Sequence, residues 1–119
     1  MKPFPINEKN YKLNLSFGTY RIYLLGGFSI ENIDLLEVIL LKKSSKENVE
    51  IRELNFKTTD YVSGKKAVAC FEFEIVDNDE YQIDFKGYEN LAVKESRLFL
   101  KNLLFPSKKS GEEIEVMIK

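Results

Sequence analysis

Apolar side chains recur at every second position along most of this chain, and that period decides what kind of element it can form. In Tyr11 to Phe17 the apolar residues Tyr11, Leu13, Leu15 and Phe17 alternate with Lys12, Asn14 and Ser16, as in a strand with one face on a core. Tyr20, Ile22 and Leu24 repeat the pattern, with Gly18 available for the preceding turn and Gly26-Gly27 ending the run. Ala67, Ala69, Phe71, Phe73 and Ile75 keep an odd phase. Tyr81, Ile83 and Phe85 resume it beyond Asp77-Asn78-Asp79-Glu80, and Ile114, Val116 and Ile118 carry an alternation near the C-terminus. Val49 and Ile51 are followed one residue late by Leu54 and Phe56, so the slip at Arg52-Glu53 predicts a β-bulge. Residues 96 to 105 are strand-like, and Pro106 to Glu112 has the composition of a loop.

One segment fits two templates. Ser29 to Ser44 offers an N-cap at Ser29 and a helical face of Ile30, Ile33, Leu36 and Leu40. Leu35 to Leu41 is also apolar on both sides and contains Val38 and Ile39, which suits a strand covered on both faces. Strands on either side favour the second reading. About seven to nine short strands with regular turns predict an all-β chain, a single antiparallel β-sandwich over residues 1 to 119, jelly-roll-like or immunoglobulin-like, with a small barrel as the alternative.

A chain of 119 residues can bury about two-thirds of its unfolded surface, enough for one core without disulfides or metal. Its net charge of −1 supplies no global field toward nucleic acid or an anionic membrane. Histidine is absent, which removes the usual neutral-pH base, the Ser-His and Cys-His nucleophiles and the commonest transition-metal ligand. The lone Cys70 leaves no partner for an intramolecular disulfide and no thiolate cluster for zinc. The N-terminal residues lack the apolar region of a signal peptide, and the apolar runs are shorter than a membrane span, so a cytoplasmic location is expected. Leu24 to Ser29 lacks the glycine spacing of a dinucleotide loop, and no cofactor is expected.

Six carboxylates crowd one stretch: Glu72, Glu74, Asp77, Asp79, Glu80 and Asp84. On a strand, Glu72 and Glu74 point to one side with Cα atoms about 6.5 Å apart. "EFEIVD" resembles the Glu-x-Asp-x-x-Glu pattern of laminarinase-like jelly-roll glycosidases, which would imply a catalytic carboxylate pair, retaining or inverting according to its separation. It departs from that pattern at Glu74 and Asp77, and the chain has no Trp to stack a sugar. The reading adopted is a solvated strand face with no catalytic residue. Asp77, Asp79 and Glu80 are the candidate metal ligands, although the glycine and glutamate of an EF-hand loop are missing. Their rival role is a hairpin turn. A loop of Asn78 to Glu80 would pair Ile75 with Ile83 and Phe73 with Phe85, and set Glu72 opposite Lys86.

The lysine pairs Lys42-Lys43, Lys65-Lys66 and Lys108-Lys109 could contact phosphate if loops gathered them, and an OB-like barrel would then bind single strands. Strand-end lysines more commonly protect edges, so nucleic-acid binding is not expected. Cys70 is expected as a half-buried inert thiol on the even face with Val68 and Glu72. The polar connection Gly87 to Leu98 offers Tyr88 and Asn90 as a binding rim, with Tyr61 as a further contact. By elimination the expected function is a non-enzymatic protein-interaction module, an inhibitor, immunity-type or assembly partner of another protein, with Leu35 to Leu41 leaving an apolar edge or patch. A carbohydrate- or other ligand-binding sandwich, using exposed Tyr23, Tyr61 or Tyr88 in a line, is the alternative, and a glycosidase-like enzyme using Glu72 and Glu74 the third.

Overall fold

Most of the alternating runs became strands, although Val49 and Ile51 lie before β6 in a link, and the strands bury their apolar faces mainly in one interior. The computed structural model describes residues 2–25, 29–62, 64–94, 108–110 and 114–119. Its strands are β1 (Phe4–Pro5), β2 (Tyr11–Leu15), β3 (Gly18–Leu25), β4 (Ser29–Glu31), β5 (Glu37–Lys42), β6 (Arg52–Val62), β7 (Lys65–Ile75), β8 (Asp79–Lys86), β9 (Ala92–Lys94), β10 (Lys108–Ser110) and β11 (Glu115–Ile118). Short 3-10 turns occupy Ile33–Leu35 and Tyr88–Asn90. A five-stranded antiparallel sheet in the order β1-β11-β3-β7-β6 packs on a three-stranded sheet β2-β8-β5, making an all-β sandwich. The short strands β10, β9 and β4 form a third antiparallel sheet.

The interior takes Ile22 and Leu24 from β3, Phe71, Phe73 and Ile75 from β7 and Val116 and Ile118 from β11. The opposing sheet contributes Leu13 and Leu15 from β2, Leu40 from β5 and Tyr81, Ile83 and Phe85 from β8. Aromatic contacts tie the sheets at one edge, where the Phe4 and Tyr11 rings stack at 3.8 Å and Phe85 lies 6.4 Å from Phe4. None of the buried residues in the described part is polar or charged.

The order of strands in the two sheets is matched. β3, β7 and β6 are consecutive neighbours in one sheet, and β2, β8 and β5 in the other. The chain passes between sheets three times at one end: β2 to β3 through Ser16-Phe17, β7 to β8 through Val76 to Asn78, and β5 to β6 through residues 43 to 51. These are three arches standing side by side, with β7 and β8 forming the middle one.

That arrangement corrects several expectations. Residues 71 to 85 are not a hairpin: β7 pairs with β3 and β6, β8 pairs with β2 and β5, and Asp79 and Glu80 begin a strand instead of occupying a turn. Facing one another across a core satisfies the same parity as lying side by side, so phase could not separate the two. Lys86 sits opposite Glu37, not Glu72. Phe17 shares the phase of Leu13 and Leu15 but lies beyond the end of β2, in an arch, and is 77% exposed.

The odd phase of β7 is also broken. Ile22 pairs with Phe71 but Tyr23 pairs with Ala69, so Cys70 is an extra residue on β7. Cys70 and Val68 therefore turn to the main core while Glu72 stays outside, and the thiol is fully buried instead of half-buried. Ala67 and Ala69 move to the outer face, where they form a second cluster with Tyr23 and Leu25, flanked by Leu54 and Met117. The slip expected at Arg52-Glu53 is displaced along the strand: those two residues stay in register with Glu72 and Phe71, and the shift falls between Glu53 and Thr58, opposite the same point of β7.

Ser29 to Ser44 resolves into β4, a 3-10 turn and β5, so the strand reading holds over Glu37–Lys42. Lys108–Ser110 is a strand paired to β9, where a loop was expected, since a short run of small and basic residues carries little apolar signal. The connection after Gly87 likewise holds a 3-10 turn and β9. The expected strand at residues 96 to 105 lies outside the described residues.

Two phenylalanines that share strand periodicity separate these accounts. Phe73→Ala should cost about 3 to 5 kcal/mol, whereas Phe17→Ala should change stability by no more than about 0.5 kcal/mol. Denaturant unfolding of both variants measures this, and equal losses would return Phe17 to the core.

Candidate functional site

Arches are short links over the open end of a sandwich, so their residues meet solvent unless they fold back. At this end they are braced to one another. The Phe17 backbone N–H donates to Asn78 Oδ1 at 3.1 Å, joining the first arch to the middle one. The Tyr20 hydroxyl donates to the Ser16 carbonyl at 2.9 Å and lies 3.2 Å from the Ser16 N–H. Lys42 Nζ donates to Asp77 at 2.8 Å and Lys43 Nζ to Glu80 at 3.0 Å, while the Ser44 hydroxyl donates to Asp79, tying the third arch to the middle one. Tyr81 donates its hydroxyl to the Asp77 carbonyl at 2.9 Å, and burial pushes that phenol up from its ordinary value.

The three candidate metal ligands are thus held apart, each by a different partner. The Ser44 hydroxyl and the Glu80 N–H hold the Asp79 carboxyl below its ordinary value, and the hydrogen bond to Asp77 raises Lys42. Among the described residues no three acidic or thiol side chains converge as a cation site would require.

Glu72 and Glu74 do lie on the outer face of β7, as expected for a wet strand face. Glu72 accepts from Arg52 at 2.9 Å and from Arg21 at 3.3 Å, and Glu74 lies 3.7 Å from the same Arg52. The Arg52 hydrogen bond, then that of Arg21, lowers Glu72 below its ordinary value. A general acid needs the opposite shift, so Glu72 serves as the acceptor of an ion-pair cluster, with Glu74 at its edge.

The remaining candidates do not gather at one place. Tyr61 is 68% exposed on the β6–β7 hairpin and faces Lys66 in register. Tyr88 packs against the main core and, with Asn10, Asp84 and Lys86, lines a hollow of about 220 Å³ beside the other sheet. Asn90 accepts at its carbonyl from the Asn32 amide at 2.9 Å. Gly87 before them has φ +79°, and a Cβ there would stand 2.3 Å from the Leu35 carbonyl oxygen, so that turn is closely fitted. Tyr23 is buried in the outer cluster under the Lys119 ammonium, 5.2 Å from its ring centroid, so the tyrosines form no exposed line. Lys42-Lys43 and Lys65 stand at opposite ends of the β-sandwich, about 30 Å apart along β7 by the strand rise, and Lys65 is paired with Glu115 at 2.8 Å.

What the arch end does present is apolar. Phe17 and Val76, 77% and 74% exposed, both line a hollow of about 110 Å³ with Gly18, Thr19, Glu74 and Ile75. Across Glu74 to Val76 lies a second hollow of about 210 Å³, lined by Val49, Ile75, Val76 and Tyr81 together with Lys42, Glu47, Asn48, Glu74 and Asp77. Sequence reading missed both residues: Phe17 carried core phase, and Val76 merely broke the alternation beside a polar run. The signal available for Val76 was an even-numbered apolar residue in an odd-phase strand. No described helix is long and apolar enough to cross a membrane. No family model, curated protein or solved structure matches this chain.

Because the Glu72 carboxyl is lowered in the folded protein, its pairs contribute above the ordinary carboxylate range and are lost as pH falls through the lowered value. Glu72→Gln should therefore reduce the urea midpoint at about pH 7, and the gap to the parent should close as the pH falls below the ordinary carboxylate range. A gap that persists in acid would mean that the side chain acts by packing. Millimolar calcium should leave the thermal midpoint unchanged, since Asp77, Asp79 and Glu80 are each already engaged; a rise with calcium would restore them as ligands.

Proposed function

We propose that this chain is a non-enzymatic protein-interaction module, of the kind that serves as an inhibitor, immunity-type protein or assembly partner, and that it binds through its arch end. The observation carrying this reading is the pair Phe17 and Val76, each about three-quarters exposed on links braced from both sides. An exposed aromatic beside an exposed aliphatic residue is the composition of an interface anchor. Holding its backbone in place reduces the ordering cost of binding, which is about 0.5 to 1.5 kcal/mol for each side chain that must be fixed.

Size favours a protein partner over a small molecule. The hollows of about 210 and 110 Å³ are each below the range of about 300 to 1,000 Å³ usual for small-ligand pockets, and suit single side chains. The apolar run Leu35 to Leu41 is only partly covered: Leu35 is 52% exposed, and Val38, Ile39 and Leu41 are half-buried. Leu36 and Leu40 are buried, and the free edge of β5 is covered where Lys42 donates its N–H to the Glu47 carbonyl and Val49 to the Leu40 carbonyl.

Benzoylphenylalanine placed at position 17 tests this reading in native extract. A discrete protein adduct should form on irradiation, and excess unlabelled parent protein should compete it away while a Phe17→Ser/Val76→Ser variant should not. Equal competition by the two proteins, or no adduct, would remove the arch end as the binding surface.

A further inference from the structure

We infer, building on that reading, that the arch end receives a basic protein segment that projects one apolar side chain. The larger hollow is lined by the apolar side chains of Val49, Ile75 and Val76 and by the carboxylates of Glu47, Glu74 and Asp77, with Lys42, Asn48 and Tyr81 completing it. Lys42, its one basic residue, is already hydrogen-bonded to Asp77. Glu74 lines both hollows and is 64% exposed, with Arg52 only at 3.7 Å while that guanidinium sits closer to Glu72. Glu47 is exposed and has no ion-pair partner among the described residues. Asp79 is held by a hydroxyl and a backbone N–H, and no cation is hydrogen-bonded to it among the described residues.

Counted over the arches and the residues bordering them, Glu47, Glu50, Glu74, Asp77, Asp79 and Glu80 outnumber Lys42, Lys43, Lys46 and Arg52. The Arg21 and Glu72 charges beside them cancel. An apolar anchor would enter between Glu47 and Glu74, and flanking Lys or Arg side chains would meet carboxylates that have room for them. A second copy of this chain would bring the same acidic border against itself, and like charges would oppose that pairing.

Three fluorescent peptides of about seven residues provide the probe: a central Phe between Lys pairs, the same with Glu pairs, and the Lys frame with a central Ser. Anisotropy with the full chain at low salt should show binding of the Lys-Phe peptide alone. Affinity should fall about two- to fivefold for Glu74→Gln, as expected for one exposed charge pair, and should weaken with salt. It should vanish for Phe17→Ser/Val76→Ser. A Glu-framed peptide that binds equally, and is still lost in that double variant, would overturn the basic partner while keeping the surface. Lys-Phe binding unaffected by the double variant would sink the surface reading itself, and no binding of any peptide would overturn the inference. Dimers in light scattering that the double variant abolishes would assign the end to a second copy and overturn it likewise.

Discussion

The structure depends on β7 and β8 sharing one core from opposite sheets. Packed sheets stand about 10 Å apart, and the chain advances at most about 3.3 to 3.6 Å per residue. From Leu15 to Gly18 the first arch has three steps, just enough to cross, and the middle arch has one more. Links so short run nearly taut over the end of the sandwich. Ile75 is already in the core and Asp79 already pairs with Leu15, so Val76 is left facing out, and Phe17 beside it has no slack with which to turn inward. Exposure of these two side chains follows from the crossing.

The same constraint explains how the sheets are bound laterally. Because the order β3-β7-β6 matches β2-β8-β5, neighbouring arches present their polar atoms to each other, and Asn78, Asp77, Asp79 and Glu80 are used to hold Phe17, Lys42, Ser44 and Lys43. Carboxylates that look like chemistry in the sequence are the fastenings of an end surface. Farther along β7, the extra residue Cys70 turns Val68 inward and Ala67 and Ala69 outward, so one strand serves the main core and a smaller cluster on the outer sheet face.

Period and parity made the strands legible: Leu13, Leu15, Ile22, Leu24, Phe73, Ile83, Val116 and Ile118 are buried as their alternation requires. Neighbour relations were not legible, because residues that face across a core and residues that lie side by side obey the same parity. The shift at Cys70 was hidden for another reason. Ala67 to Phe71 is apolar at every position, so a change of face leaves no mark on the pattern. The surface was hidden by both effects together, since Phe17 continued a core phase past the end of its strand, while Tyr61, Tyr88 and Asn90 were conspicuous residues in separate places.

Chemistry at the arch end is accordingly that of contact: apolar side chains on braced links, shallow hollows and a border richer in acid than in base. Everything proposed for it requires β7 and β8 to arch and not to pair. Backbone NOEs in isotope-labelled protein measure this directly. Inter-strand contacts should join Tyr20 with Phe73 and Leu13 with Tyr81, the pairings made when β7 and β8 lie in different sheets. Backbone NOEs joining Phe73 with Phe85 and Ile75 with Ile83 would instead place the two strands in one hairpin and contradict the account.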